Sequence, residues 1–166
     1  MATAAAPRAR RSKEALVLLS CGANALITTV HHVRGALLYG TPNRYHAVLL
    51  AAAMLAATIT AYGVSRTSSR TGRVSRIAWW VFWAGSLIGF VVLFGLFEGL
   101  VTHVIAPIAQ GYSPDEPFDL PFEVTGVLHV VPAVVTAVLL ARLFRQRRDA
   151  APRAAHGPHG AGAGTV

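Results

Sequence analysis

Four apolar runs constrain the fold of this chain more than any other feature. They cover residues 15–38, 45–64, 77–106 and 122–143. A helix of about 20 residues crosses a hydrocarbon core of about 30 Å, and a backbone in lipid must satisfy its own hydrogen bonds. The sequence therefore predicts an all-α fold, a four-helix transmembrane bundle formed by residues 15–145.

The segments outside the runs have the composition of loops and tails. Residues 1–14 are rich in alanine, arginine and proline, and residues 146–166 are dominated by glycine, alanine and proline. Such segments offer little apolar surface for a packed core, so both are predicted to be disordered. Glycine and proline near 40–43 and the three prolines of 110–121 mark turns between helices.

The basic residues predict how the bundle is oriented. Thirteen of the 15 lysines and arginines lie before residue 14, between 65 and 76, or after 141, whereas Arg34 and Arg44 lie on the other side. Cytoplasmic loops carry an excess of positive charge, so both termini are predicted to be cytoplasmic in a multi-pass protein of the cell membrane. The basic blocks flank apolar runs and lack interleaved aromatics, so the partner they favour is the lipid bilayer and not nucleic acid.

Seven ionisable residues lie at one depth, within about two turns of the outer face. Ionisable groups in a span are costly and usually face the bundle interior. The seven come from all four predicted helices: His31, His32, His46, Glu98, His103, Glu123 and His129.

Six of these residues are candidate metal ligands: His31, His32, Glu98, His103, Glu123 and His129. Imidazoles and carboxylates inside a four-helix bundle suit a divalent ion such as Zn, Fe or Cu. The single cysteine, Cys21, excludes thiolate-rich metal sites and an internal disulfide. We expect the six side chains to converge in one pocket that opens to the outer face.

Further polar residues have candidate supporting roles. Helical spacing places polar residues beside the cluster, where they could orient ligand rings: Asn24, Thr28, Thr102 and Thr125. Three residues near the outer surface are candidates for binding an anionic headgroup of a substrate: Arg34, Arg44 and His46.

Four segments resemble the recurring segments of a family of small bacterial four-span membrane proteins, for which no activity is established. They are residues 24–35 (NALITTVHHVRG), 41–46 (TPNRYH), 97–103 (FEGLVTH) and 122–126 (FEVTG). The resemblance implies the four-span fold and the importance of these residues. This chain departs from the family at Asn43, where an aromatic residue is usual.

Three functions remain open from the sequence. The first is a metal-dependent membrane protein, including the case of an enzyme that acts on a lipid or apolar substrate. The second is a b-type cytochrome in which two histidines bind one haem, although the neighbouring glutamates fit it poorly. The third is a non-catalytic interaction or transport subunit. Small-residue helix faces would also permit a homodimer.

Overall fold

The chain folds into long helices joined by short connections. The computed structural model describes residues 5–67 and 72–155, and the side chains at 12–67 and 72–149. No strand occurs within these ranges, so the predicted all-α class is confirmed there. The first helix is Ala5–Tyr39 and the second is Tyr45–Thr67, after a 3₁₀ turn at Pro42–Arg44; the third comprises Arg73–Ala84, Gly85–Ile105 and Ala106–Gln110, and the fourth comprises Leu120–Leu128 and Val130–Ala155.

All four helices are long and apolar enough to cross a membrane. They extend beyond the predicted spans, because polar residues at the ends continue the helical winding. The predicted disorder of 1–14 and 146–166 stays a prediction: part of it falls on residues 1–4 and 156–166, which lie outside the described residues.

The apolar core lies toward the end of the bundle opposite the histidines. Val17 and Cys21 of the first helix pack there with Phe82, Phe90 and Leu140. Lipid tails are as apolar as these side chains, so close packing holds such helices together. The packing of the third helix on the fourth is close at Gly95, since an added Cβ there would overlap Ala133 of the fourth helix.

The third helix changes its winding at Gly85. Residues Gly85–Ile105 form a π-helix, in which hydrogen bonds run from residue i to i+5. Its buried residues accordingly recur every four to five positions: Ser86, Gly89, Phe90, Phe94, Gly95, Gly99 and His103. In an α-helix, Glu98 and His103 would be about 140° apart around the axis. The π winding brings them to one side.

The fourth helix is interrupted at His129. Proline has no N–H, so Pro132 cannot bond the carbonyl of Leu128. The chain makes a turn at His129, whose backbone N–H donates to the Gly126 carbonyl at 3.2 Å. The helix is therefore broken at His129, and the His129 side chain is fully buried.

Candidate metal centre

The six predicted ligand residues lie together on one side of the bundle interior. His31 and His32 come from the first helix, Glu98 and His103 from the third, and Glu123 and His129 from the fourth. His31 lies 4.5 Å from His103 and 5.5 Å from His129 between ring centroids. Three helices thus meet at one cluster. Some of its residues surround Glu98, and the others form hydrogen bonds to those residues.

Glu98 is the centre of the cluster. Its Oε1 atom lies 3.4 Å from His31 Nε2, 3.6 Å from His32 Nε2 and 3.5 Å from His103 Nε2. None of these three nitrogens has a hydrogen-bond partner in the part of the chain that the structure describes, and all three are buried. His31, His32 and Glu98 alone already satisfy the spacing of a metal-binding group.

The opposite ring nitrogens of two histidines are held by the fourth helix. His31 Nδ1 lies 3.1 Å from the Phe122 carbonyl oxygen and 3.2 Å from Thr125 Oγ1. His103 Nδ1 lies 2.9 Å from Glu123 Oε2. The Phe122 carbonyl and the Glu123 carboxylate accept from the Nδ1–H of His31 and His103, and Nε2 of each ring lies toward Glu98. Metal-binding histidines are commonly oriented in this way by a carbonyl or carboxylate.

His129 differs from the other three histidines because both of its ring nitrogens are engaged. Its Nδ1–H donates to the Gly126 carbonyl at 2.9 Å, and Nε2 lies 3.1 Å from Thr28 Oγ1. Asn24 reaches the same region through its side-chain amide, which donates to the His129 carbonyl at 3.4 Å. His129 therefore presents no free ring nitrogen to the cluster, and Glu123 contacts it through His103.

Two small residues make room for the rings. A Cβ at Gly126 would overlap the His103 ring, and a Cβ at Gly99 would come within 3.0 Å of His129 Cβ. Glycine at these positions allows the third and fourth helices to approach with an imidazole between them.

Phe122 covers the cluster at the end of the bundle where the loop before the fourth helix lies. The predicted opening of the pocket to the outer face stays a prediction. Its ring stacks on His31 with centroids 4.1 Å apart and planes inclined by 22°. The Arg44 guanidinium lies over the other face of Phe122, 5.2 Å from the ring centroid. Gly35 provides the space, since a Cβ there would lie 2.6 Å from Phe122 Cε2.

The two outer arginines bind acids of the loop before the fourth helix. Arg34 makes two hydrogen bonds of 2.9 Å to Asp119, and Arg44 pairs with Glu116. The Arg34 guanidinium holds the pKa of Asp119 below its ordinary value. These pairs attach the loop to the first two helices. The predicted headgroup role of Arg34 and Arg44 stays a prediction.

Two further candidates lie away from the cluster. His46 is exposed at the start of the second helix. Thr102 is exposed, and its hydroxyl donates to the Phe97 carbonyl five residues earlier, at 3.2 Å. The π winding explains why Thr102 is exposed. In an α-helix, Thr102 would lie on the same side as Glu98, whereas in the π winding His103 lies there.

Sequence reasoning missed Asp119, and it gave no specific role to three residues within the resembling segments: Gly35, Phe122 and Gly126. One signal was available, since Asp119 precedes Leu120 and Pro121 in the pattern of a helix start, and its carboxylate accepts from the Phe122 N–H at 2.9 Å. The stacking of Phe122 on His31 has no counterpart in the sequence pattern.

Comparisons with family models, with curated proteins and with solved structures gave no match.

Proposed function

We propose that this chain is an integral membrane protein that binds one divalent transition-metal ion between its first and third helices. The ligand atoms are Nε2 of His31, His32 and His103 and Oε1 of Glu98. The observation that carries this proposal is that three buried, unpartnered imidazole nitrogens surround one carboxylate oxygen at 3.4–3.6 Å.

The three distances to Glu98 Oε1 fit a small ion, and the ligand atoms of His31, His32 and Glu98 all lie within 4.8 Å of one another. A tetrahedral zinc ion with bonds of about 2.1 Å separates its ligand atoms by about 3.4 Å. Nitrogen and oxygen donors without a thiolate suit Zn, Fe or Cu(II). Glu123 and the Phe122 carbonyl supply the outer hydrogen bonds that metal-binding imidazoles use.

The energetics point the same way. The three Nε2 atoms have no hydrogen-bond partner among the described residues, and all three share one carboxylate oxygen at 3.4–3.6 Å. One cation satisfies all three lone pairs and the carboxylate together. The three nitrogens crowd around a single oxygen, whereas a haem would need two of the rings on opposite faces of a porphyrin. The cluster therefore favours a bare ion over haem b.

The orientation is also a proposal. The positive-inside rule supports cytoplasmic termini in the cell membrane and places the ion near the outer face. The described helices are compatible with this, since the metal cluster and the connections at Gly40 and Gly111–Asp119 lie at one end of the bundle.

Elemental analysis of purified protein, with equilibrium loading by Zn²⁺, Fe²⁺ and Co²⁺, tests the proposal. We expect one ion per chain in the wild type and loss of the ion in His31→Ala and in Glu98→Gln. His46→Ala is the matched control, because His46 is exposed and lies off the cluster. An ion-free wild type, or equal loss in His46→Ala, would refute the proposal, and a Soret absorbance would support haem instead.

A further inference from the structure

The metal cluster is covered at the end of the bundle where the loop before the fourth helix lies. Phe122 is only 3% exposed and lies between His31 and the Arg44 guanidinium. Tyr39 packs edge-on against the same ring, and its hydroxyl donates to the Pro117 carbonyl at 3.0 Å. Together with the arginine pairs to Asp119 and Glu116, these contacts hold the loop down over the first helix.

The exposed side of the cluster is Glu98. Its side chain keeps 17% exposure, while the His31 side chain is completely buried. Glu98 lies in an apolar stretch whose neighbours Leu96 and Phe97 are 49% and 57% exposed. Large apolar side chains that are exposed on a membrane helix face lipid. Glu98 is therefore accessible at the level of the outer leaflet.

His32 shows which pair of helices borders this opening. His32 and Arg34 are two positions apart, and so lie on roughly opposite sides of the first helix, about 160° apart. Arg34 reaches the start of the fourth helix through Asp119. His32 therefore lies toward the second helix, and Glu98 approaches it from the third.

The second helix packs less closely on the third at this level. Its close contacts lie further in, where Thr58 and Met54 fill the spaces beside Gly85 and Gly89. It is also the least buried of the four, with 17% of its apolar window inside the bundle. Glu98 is nine residues beyond Gly89, about 13 Å in an α-helix and less in the π winding. That is the level of the first turns of the second helix, where Tyr45 and Leu49 are exposed.

We propose that the bound ion takes its substrate sideways from the outer leaflet, between the second and third helices, and that this substrate is an amphiphile with an anionic oxygen headgroup. The inference rests on the proposed metal function. A divalent ion held by three neutral imidazoles and one carboxylate keeps one positive charge. An ion that expands from four to five ligands would therefore favour an anionic oxygen as the fifth. The apolar surfaces beside Glu98 suit an acyl chain.

The test uses the full chain loaded with Co²⁺ in lipid nanodiscs, with the visible cobalt spectrum as the readout. Dodecanohydroxamic acid partitions into the bilayer and should shift the spectrum. Acetohydroxamic acid carries the same headgroup, stays in water and should leave the spectrum unchanged at the same concentration. Dodecanol enters the same bilayer without an anionic oxygen and should also have no effect.

A variant reverses the expectation for the short ligand. Phe122→Leu opens part of the outer cover, so acetohydroxamic acid should shift the spectrum of this variant. If the variant does not fold, the test rests on comparing the three ligands with the wild type. A wild-type shift with acetohydroxamic acid, or none with dodecanohydroxamic acid, overturns lateral access while cobalt binding stands. Failure to bind cobalt overturns the metal proposal itself and this inference with it.

Discussion

Gly126 controls the position of a proposed ligand without touching the ion. We predict that Gly126→Ala displaces the His103 ring, because the added Cβ would overlap it. Ion affinity should fall about 10–100-fold, the usual cost of disturbing the support of a metal ligand. Equilibrium titration with Zn²⁺ measures the change.

Gly22→Ala is the matched control for this substitution. It makes the same change inside the first helix, where an added Cβ meets nothing within 4 Å. It should leave ion affinity unchanged and stabilise the helix by up to about 1 kcal/mol. Equal losses of affinity in both variants would mean that the effect comes from helix stability and not from His103.

Glu123 is the second residue whose role can be isolated. Its carboxylate accepts from His103 Nδ1–H at 2.9 Å and so makes Nε2 a better donor to a cation. We predict that Glu123→Gln, which keeps the shape and removes the charge, weakens zinc binding about 10–100-fold. Glu116→Gln removes a charge from the outer loop and should leave zinc binding nearly unchanged; a comparable loss there would point to bulk electrostatics.

The convergence of the ligand residues could be predicted from depth and residue type, because ionisable groups in a membrane span usually face the bundle interior. Which of these residues have free donor atoms, and which support the others by hydrogen bonds, could not be predicted from the sequence. Whether His129 offers a free nitrogen depends on Thr28 and on the Gly126 carbonyl, which approach it only after the helices pack. Likewise, the sequence alone does not distinguish Asp119 from a lipid headgroup as the partner of Arg34.

At the level of elements, Asp119 joins two helices. Its carboxylate accepts from the Phe122 N–H at the start of the fourth helix and from the Arg34 guanidinium of the first. Because Arg34 lowers the pKa of Asp119, the contact contributes stability at neutral pH. That contribution is lost as the pH falls through the lowered pKa, below the ordinary aspartate value of about 3.9.

We therefore predict that Asp119→Asn lowers the melting temperature at neutral pH and that the difference from the wild type shrinks on acidification. Thermal unfolding in detergent at a series of pH values measures it. Asp115→Asn, an exposed position in the same loop, should show neither effect. A difference that stays constant with pH would assign the stabilisation to shape and not to charge.

The π winding is the element that sequence reasoning could not supply. A run of apolar residues with small ones interspersed is compatible with either winding. Only the spacing of buried positions, such as Phe90, Phe94, Gly99 and His103, distinguishes them. The consequence for the site is concrete, since α spacing favours Thr102 as the neighbour of Glu98, and the structure has His103 there.

On the scale of the whole molecule, the topology can be tested directly. In a Cys21→Ser background, we predict that Ser113→Cys reacts with a membrane-impermeant maleimide on intact cells, whereas Thr67→Cys reacts only after lysis. Both positions are exposed, so accessibility alone does not separate them. The reverse labelling would place the ion near the cytoplasmic face and remove the basis for an outer-leaflet substrate.

The number and order of the helices could be predicted because the bilayer sets the length of an apolar span. Their ends could not be placed as well, since Arg73–Gln110 and Leu120–Asp149 continue past the apolar runs into polar sequence. The predicted homodimer remains a prediction, and the second helix, with most of its apolar window outside the bundle, is the element to examine for it.

The winding of Gly85–Ile105 also bears on how this protein could diverge. Removing or adding one residue between Glu98 and His103 would rotate one relative to the other, separating them while leaving both in the sequence. Descendants that keep the ion must therefore preserve the five-residue interval between these two residues, along with adjacent histidines in the first span. That interval, and not overall identity, is the signature by which distant relatives with the same chemistry should be recognised.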